Sequence, residues 1–206
     1  MAGAFIVLEG PDGAGKTTQS RLLVEQLRAR GREPVLVREP GGTAIGEKVR
    51  EILLDPANEE MDFRAELFLY MASRAQLCRE VIEPALAGGR IVVADRFLAS
   101  SAVYQGMAGG IGMEQVLAVG RIATGGLEPD LTVLLDIDAR EAAARVSAAR
   151  SRDRIERRSL DYHARVCAGY RAFARLPGRR LRVIDGARAV EIVAKDVLEA
   201  ALEILA

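Results

Sequence analysis

The sequence predicts an α/β fold in which a central, parallel, five-stranded sheet is flanked by helices. Short apolar runs alternate along the chain with longer segments that carry apolar residues at helical spacing, and this alternation is typical of a parallel sheet covered by helices. Half of the 206 residues are apolar, so a single domain with a substantial core, spanning residues 1–206, is expected.

Each predicted element follows from its own pattern. The strands are short apolar runs such as "FIVLE" and "IVVAD", and we place them at residues 5–9, 34–38, 91–95, 131–137 and 181–184. Helices are predicted at residues 16–30, 63–87, 114–124, 139–149, 160–175 and 190–205. Gly31, the pair Gly88-Gly89 and the pair Gly125-Gly126 mark helix ends, because glycine readily adopts the left-handed cap conformation.

The stretch "GPDGAGKTTQ" lies between the first predicted strand and the first predicted helix. Gly10, Gly15, Lys16 and Thr17 complete the pattern G-x-x-x-x-G-K-[ST], in which backbone amides surround a phosphate and the lysine reaches the terminal phosphates. The alternative is a tight glycine turn that only joins strand to helix. The predicted ATP-binding residues here are Gly10, Pro11, Asp12, Gly13, Ala14, Gly15, Lys16, Thr17 and Thr18.

Polar residues follow the other predicted strands. Ligands of such sheets bind beyond the carboxyl ends of the strands, so Asp12, Glu39 and Asp95 are expected to face one crevice. Thr17 is a predicted metal residue because its hydroxyl binds Mg²⁺, and the strand-end carboxylate that positions the metal could be Asp95, which ends "IVVAD", or the aspartate that ends "VLLD". Arg96, directly after Asp95, suits a second phosphate-bearing ligand, although an ordinary surface ion pair is the alternative.

The composition limits the partners and the location. Lys plus Arg and Asp plus Glu number 29 each, so no overall positive field would attract nucleic acid or a membrane, and a small-molecule partner is expected. Cys78 and Cys167 have no metal-ligand spacing, which indicates a reducing cytoplasm. The N-terminus "MAGAFIVLEG" lacks an export signal, and no apolar run approaches the roughly 18 residues of a membrane span.

A phosphate loop alone leaves three classes of protein open. A switch GTPase would need an NKxD-type guanine reader, and the sequence contains none. A remodelling ATPase is harder to exclude, because both "IVVAD" and "VLLD" could supply its acidic strand end. The segment "DRFLASSAVYQG" contains Arg96, which suits a second phosphate-bearing ligand. This segment therefore favours a small-molecule kinase.

The chain resembles the bacterial-type thymidylate kinases over almost its whole length. The segments that carry the resemblance are "FIVLEGPDGAGKTTQ", "REPGGTAIGEKVREILLD", "FLYMASRAQ", "DRFLASSAVYQG", "LEPDLTVLLDID" and "SRDRIE", in this order. The resemblance implies a P-loop kinase fold with a short arginine-rich lid at about residues 144–158. It also implies phosphorylation of dTMP to dTDP with MgATP, for DNA precursor synthesis, and a homodimer formed through helices around 63–86 and 114–124.

The resemblance also implies a set of acceptor-site residues. Asp12 would accept a hydrogen bond from the 3′-hydroxyl of the acceptor sugar, Arg96 would bind its phosphate, and Arg74 would approach the thymine edge. Alternatives remain open, since Asp12 could be a solvated turn residue, Tyr70 could be plain core and Ser100 a helix cap. The implied dTMP-binding residues are Asp12, Glu39, Pro40, Arg50, Tyr70, Arg74, Arg96, Ser100, Ser101, Tyr104 and Gln105.

The arginine-rich run 144–158 has two interpretations. Composition alone favours a solvated basic helix face. Phosphoryl transfer, however, needs a cation near the migrating group, and bacterial-type thymidylate kinases supply an arginine from the lid; Arg150 is the first choice and Arg154 the second. Arg145 is expected to stack on adenine, near Asp185, Gly186 and Ala187. The implied catalytic residues are Lys16, Arg96, Arg150, Asp12 and Asp95.

Two other functions remain as alternatives. A kinase for another nucleoside monophosphate would keep Lys16 and Thr17 but lack the thymine pocket. A non-enzymatic nucleotide switch would bind ATP or GTP, turn over slowly and ignore dTMP. A survey of monophosphate acceptors distinguishes all three.

Overall fold

The computed structural model describes residues 3–149, 153–178 and 180–205. Its five strands form one sheet in the order β2-β3-β1-β4-β5, and every neighbouring pair is parallel. The strands are β1 (Ala4–Glu9), β2 (Val35–Arg38), β3 (Ile91–Asp95), β4 (Leu131–Asp136) and β5 (Leu181–Asp185). The predicted sheet is therefore confirmed, with each boundary within one residue of its expected place.

The helices cover both faces of this sheet. They are α1 (Lys16–Arg28), α2 (Ala44–Leu54), α3 (Phe63–Leu77), α4 (Glu83–Ala87), α5 (Leu98–Ser101), α6 (Met113–Ala123), α7 (Ala139–Ala149), α8 (Leu160–Phe173) and α9 (Val190–Leu205). A short 3₁₀ turn covers Pro56–Asn58, and π-helical turns cover Cys78–Ile82 and Ala102–Ala108. None of the helices in the described ranges is long and apolar enough to cross a membrane.

Two helical segments were not predicted, and one predicted helix is interrupted. Helix α2 begins after Thr43, whose side chain accepts a hydrogen bond from the amide of Gly46; the glycines around this cap hide the helical pattern in the sequence. Helix α5 with its π-helical continuation occupies the segment expected to be part of the binding site. The predicted helix 63–87 is interrupted by a π-helical turn that precedes α4. The first turn of α4 includes Pro84, which has no amide hydrogen to donate to the preceding turn.

The core explains why the strands are apolar on both faces. Ile6 and Leu8 of β1 belong to a buried cluster that includes Leu23 of α1 and Val197 of α9. Phe5 and other alternate strand residues belong to a second cluster with residues of α3 and its π-helical turn. A parallel sheet buried on both faces needs near-continuous apolar strands, and only the carboxyl ends of these strands carry polar residues into the crevice.

Candidate active site

The loop between β1 and α1 has the geometry of a phosphate loop. Gly10, Gly13 and Gly15 adopt positive φ angles of 144°, 82° and 92°, which side-chain-bearing residues rarely reach. Lys16 is only 6% exposed, and its Nζ donates a hydrogen bond of 2.7 Å to the carbonyl oxygen of Pro11. Lys16 therefore folds back over the loop, where its ammonium group would meet an anion held by the amides.

The electrostatics around Lys16 favour an anionic ligand. Burial and, to a smaller extent, the charge of Arg96 lower the pKa of Lys16 to about 8, although Asp12 and Asp95 act in the opposite direction. A bound polyphosphate would add negative charge next to Nζ and favour the protonated ammonium form. Binding of the polyphosphate and protonation of Lys16 therefore support each other.

Gly13 packs against the backbone of α7, and this contact makes a prediction. A Cβ atom at Gly13 would lie 2.4 Å from the carbonyl oxygen of Ala142. We expect Gly13→Ala to lower the melting temperature by roughly 5 to 15 °C, because the positive φ and the steric clash both destabilise the fold. The matched control is Gly31→Ala, which has a φ of 74° but open space around the new methyl group. Equal losses in the two thermal melts would contradict the contact with α7.

Thr17 and Asp95 meet at the end of β3. The Thr17 hydroxyl donates a hydrogen bond of 2.5 Å to Oδ2 of Asp95. Both groups are oxygen ligands of the kind that Mg²⁺ prefers, and Mg²⁺ commonly takes its other ligands from water and from substrate phosphates. The pair therefore fits a nucleotide-bound Mg²⁺. In the part of the chain that the structure describes, no cluster of three or more His, Cys, Asp or Glu residues could hold a metal by itself.

Asp12 points from the phosphate loop towards a cation. Its Oδ1 lies 2.5 Å from Nη2 of Arg96, and its Oδ2 accepts a hydrogen bond of 2.9 Å from the hydroxyl of Tyr104. Burial raises the pKa of Asp12, but the charges of Arg96 and Lys16 outweigh burial and lower the pKa to about 2. Asp12 is thus a charged, partly buried member of the crevice and differs from a solvated turn residue.

Arg96 is held in an unusual backbone conformation. Among the described residues it is the only one other than glycine with a positive φ, which is 76°, and such strain is commonly stored at functional sites. Its amide donates a hydrogen bond of 3.0 Å to the carbonyl oxygen of Leu8, and its Nη1 donates one of 3.0 Å to that of Gly10. The ends of β1 and β3 together therefore direct the guanidinium into the crevice.

Arg74 forms the buried wall on the other side. It is 1% exposed, and its Nε and Nη2 lie 2.8 Å and 2.6 Å from Oε2 of Glu39. Nη1 donates to Oγ of Ser101 and to the sulfur of Met71, and Nη2 donates to the carbonyl oxygen of Phe97. All five N–H groups thus have protein partners. The thioether of Met71 is the weakest acceptor among them.

The loop after β2 forms a second wall. The Nη1 atom of Arg50 donates a hydrogen bond of 2.9 Å to the carbonyl oxygen of Pro40. Burial raises the pKa of Glu39 to about 7, although the guanidinium of Arg74 acts in the opposite direction. These contacts fix the loop and leave Arg50 at the surface of the crevice.

Gln105 lies in the wall of the same crevice. Its Nε2 donates a hydrogen bond of 2.7 Å to Oε1 of Glu66. Its Oε1 is buried and, within the described ranges, has no hydrogen-bond partner. A carboxylate can only accept hydrogen bonds, so Glu66 fixes the orientation of the Gln105 amide.

Arg145 connects α7 to the loop after β5. Its guanidinium donates hydrogen bonds of 2.9 Å to the carbonyl oxygen of Gly186 and 3.2 Å to that of Ala187, and it pairs with Glu141 at 2.7 Å. The side chain of Asp185 accepts a hydrogen bond from the amide of Ala187. The structure therefore brings Arg145 and the Asp185–Ala187 segment together, although only Arg145 is in the walls of the crevice described below.

Most of these residues surround one crevice of about 850 Å³. Of the predicted site residues, the following are in its walls: Asp12, Gly13, Gly15, Lys16, Thr17, Thr18, Glu39, Pro40, Arg50, Tyr70, Arg74, Asp95, Arg96, Ser100, Ser101, Tyr104, Gln105 and Arg145. Gly10, Pro11 and Ala14 belong to the phosphate loop but not to these walls. The volume is large enough for small-molecule ligands.

Comparison with known proteins identifies the family. The family model described as thymidylate kinase matches residues 8–197. The thymidylate kinase of Pelotomaculum thermopropionicum is 48% identical over 206 residues, which cover 100% of this chain and 95% of the relative. That of Exiguobacterium sp. is 44% identical and covers 98% of this chain and 96% of the relative. The chain belongs to the thymidylate kinase family. The resemblance seen in the sequence is thereby confirmed, and the parallel sheet with its phosphate loop is the P-loop kinase fold of that family.

The lid region of this thymidylate kinase family member is only partly described. Arg150 and Arg152 lie outside the described residues. Arg154 is 3% exposed; its Nη2 lies 2.5 Å from Oε2 of Glu66, and its Nε donates a hydrogen bond of 2.7 Å to the carbonyl oxygen of Leu53. Arg158 pairs with the same Glu66 oxygen at 2.6 Å. The interpretation of the run as a solvated basic face is therefore wrong for Arg154.

Three residues of the site were missed by sequence reasoning. Glu66 accepts hydrogen bonds from Gln105 and from the two lid arginines, and it is completely buried. Tyr170 accepts a hydrogen bond from Nη1 of Arg96 and donates one to Glu9, which also accepts one from the amide of Phe97. Glu66 lies four positions before Tyr70, on the same face of the helix, and this spacing was a signal that Glu66 belongs to the site. The sequence carried no comparable signal for Tyr170.

Proposed function

We propose that the chain transfers the γ-phosphoryl group of MgATP to dTMP, giving ADP and dTDP, and so supplies dTTP for DNA synthesis. The observation that carries this proposal is a single crevice in which a phosphate loop with Lys16 faces a second cation, Arg96. Its membership in the thymidylate kinase family supports dTMP as the acceptor. The direct test is to incubate the chain with MgATP and dTMP and to separate the nucleotides by chromatography. Failure to form dTDP would refute the proposal.

The donor side is built from the phosphate loop and its surroundings. The loop amides and Lys16 bind the phosphates of ATP, while Thr17 and Asp95 would hold Mg²⁺. When bound, Mg²⁺ supplies positive charge against the phosphate oxygens. Arg145 and the Asp185–Ala187 segment form the adenine side, and their hydrogen bonds to each other keep this wall in place.

The acceptor side is built from the opposite walls. Arg96 and Arg50 bind the phosphate of dTMP. Asp12 accepts a hydrogen bond from the 3′-hydroxyl of the dTMP sugar. Arg74, Ser101 and the free oxygen of Gln105 read the thymine edge. The remaining pocket residues, which shape the base and sugar site, are Glu39, Pro40, Tyr70, Ser100 and Tyr104.

The proposed reaction needs no general base. The acceptor phosphate is already an anion, so the protein acts by positioning and by neutralising charge. Lys16 and Arg96, whose charges both act on Asp12, provide fixed cations for the donor and the acceptor phosphates. Cations fixed before the reaction act more effectively than mobile solvent on charge that spreads in the transition state.

We propose Arg150 as the lid arginine that approaches the transferred phosphoryl group. Arg150→Ala is expected to lower kcat by about 10³-fold or more while KM for dTMP changes little, because the contact forms mainly in the transition state. Steady-state kinetics measures both constants. Arg157→Ala, at an exposed position of the same run, is the matched control and should stay near wild type. Normal turnover of Arg150→Ala would move the role to Arg154 or remove it from the lid.

We further propose that the chain is one domain and works in the cytoplasm as a homodimer. The two cysteines, Cys78 and Cys167, are free and buried thiols, which suits a reducing compartment. The exposed apolar side chains of Phe68 on α3 and Ile122 on α6, 62% and 84% exposed, support a dimer formed through these helices. Sedimentation of the purified chain tests the dimer.

A further inference from the structure

Glu9, the last residue of β1, is a buried carboxylate to which the proposed mechanism gives no role. It is only 1% exposed. Its Oε1 accepts hydrogen bonds from the backbone amides of Phe97, at 2.9 Å, and Ser100, at 3.1 Å. Its Oε2 accepts hydrogen bonds from the hydroxyls of Ser100, at 2.6 Å, and Tyr170, at 3.0 Å. Four donors therefore converge on one carboxylate.

The two hydroxyls that donate to Glu9 also contact Arg96. Nη1 of Arg96 donates hydrogen bonds of 3.0 Å to Oγ of Ser100 and 3.1 Å to the hydroxyl of Tyr170. Each hydroxyl has a single hydrogen, and a guanidinium can only donate. The hydroxyl hydrogens must therefore point to Glu9, or from one hydroxyl to the other across 2.9 Å, and lone pairs must face Arg96. The carboxylate thus sets the polarity of the contacts that hold the guanidinium.

Glu9 also fixes the backbone around the strained residue. Arg96 has a φ of 76°, and its own amide is bound to the carbonyl oxygen of Leu8. The next amide, that of Phe97, is bound to Glu9. Both sides of the strained position are therefore anchored to β1, one by the main chain and the other by the Glu9 side chain.

We propose that Glu9 is a positioning residue for the acceptor phosphate, which acts by orienting Ser100, Tyr170 and the guanidinium of Arg96. This inference rests on the proposed function, in which Arg96 binds that phosphate. The carboxylate itself is 1% exposed, so it acts through these groups. Its chemical type matters more than its shape, because only a pure acceptor can satisfy two amides and two hydroxyls at once.

Glu9→Gln tests this role with little change in shape. The amide group of glutamine is a donor, so in either orientation it faces groups that already donate. We expect the Kd for dTMP, measured by calorimetry, to rise by about 10- to 100-fold, while the Kd for thymidine, which has no phosphate for Arg96, stays within about twofold. Glu191→Gln, at an exposed position of α9, is the control and should change neither value.

A second variant keeps the test decisive if Glu9→Gln does not fold. Tyr170→Phe removes one of the two oriented hydroxyls and should weaken dTMP about 5- to 10-fold without affecting thymidine. Where both variants fold, the effect of Glu9→Gln should be smaller in the Tyr170→Phe background than in the wild type, because the two residues act through the same contact.

The outcomes separate this role from the proposed function. Equal weakening of dTMP and thymidine would assign Glu9 to general stability of the pocket and overturn the proposal. Unchanged dTMP affinity in folded Glu9→Gln, or in Tyr170→Phe, would overturn it as well. A wild-type chain that forms dTDP together with either of these results rejects only the role of Glu9. A wild-type chain that forms no dTDP rejects the proposed function and, with it, this inference.

Discussion

Lys16→Ala is expected to lower the turnover of dTMP with MgATP by roughly 10³-fold or more, the range seen when a fixed donor to a developing charge is removed. Lys16 is the buried cation of the phosphate loop, and burial already lowers its pKa to about 8. Alanine leaves the loop amides in place but removes the only side-chain ammonium among the described residues of the crevice walls. Steady-state kinetics would give the loss of turnover, and calorimetry should show that dTMP still binds.

The control for this substitution is Lys195→Ala. Lys195 is on α9, and its side chain is 75% exposed, so its removal should leave turnover near the wild-type value. Both variants should keep the circular dichroism spectrum of the wild type. Near-normal turnover of Lys16→Ala would count decisively against a phosphate-binding loop at residues 10–17.

Arg96→Ala is expected to lower kcat/KM for dTMP by about 10²- to 10³-fold. The substitution removes the proposed partner of the acceptor phosphate, and it also leaves the Asp12 carboxylate without its ion pair. Truncating one member of a buried, hydrogen-bonded charge pair costs about 2–5 kcal/mol, and repulsion between Asp12 and an incoming phosphate adds to that cost. The constants would be measured with dTMP as the varied substrate at saturating MgATP.

Two further variants define what Arg96 contributes. Arg96→Lys keeps the charge but loses the planar fork, so it should recover only part of the activity. Arg182→Ala, on β5, breaks an exposed ion pair with Glu203 and should have little effect. If Arg96→Ala changed dTMP kinetics no more than Arg182→Ala, Arg96 would not bind the acceptor.

The strands of the fold could be predicted because a parallel sheet buried on both faces needs unbroken apolar runs. Segments such as Ile91–Asp95 have no other common explanation, and their polar last residues indicated the crevice. Helix α2 escaped prediction because its cap includes a glycine pair and Gly46 lies within its first turn. The local sequence pattern therefore predicts an element well where burial requires an unbroken apolar run. It predicts poorly where the same residue types, such as glycine, occur in both loops and helices.

The residues of the candidate site also differ in how well the sequence predicts them. The phosphate loop is a local motif, so its residues could be found from spacing alone. The contacts of Glu9 with Tyr170 and of Glu66 with Arg154 join residues 161 and 88 positions apart, and no local pattern reports such pairs. A glutamate ending a strand, or an arginine in a basic run, is usually solvated. Only the folded chain shows that these charged groups are buried and paired.

The measurement that tests the account most directly is a survey of nucleoside monophosphate acceptors with MgATP. Arg74, Ser101 and Gln105, which we propose to read the base edge, lie together in the walls of the crevice. We expect dTMP to be the best acceptor, dUMP to be weaker, and dCMP, AMP and GMP to be poor, since buried polar groups left unpaired by the wrong base reject it strongly. Faster phosphorylation of CMP or GMP than of dTMP would contradict it.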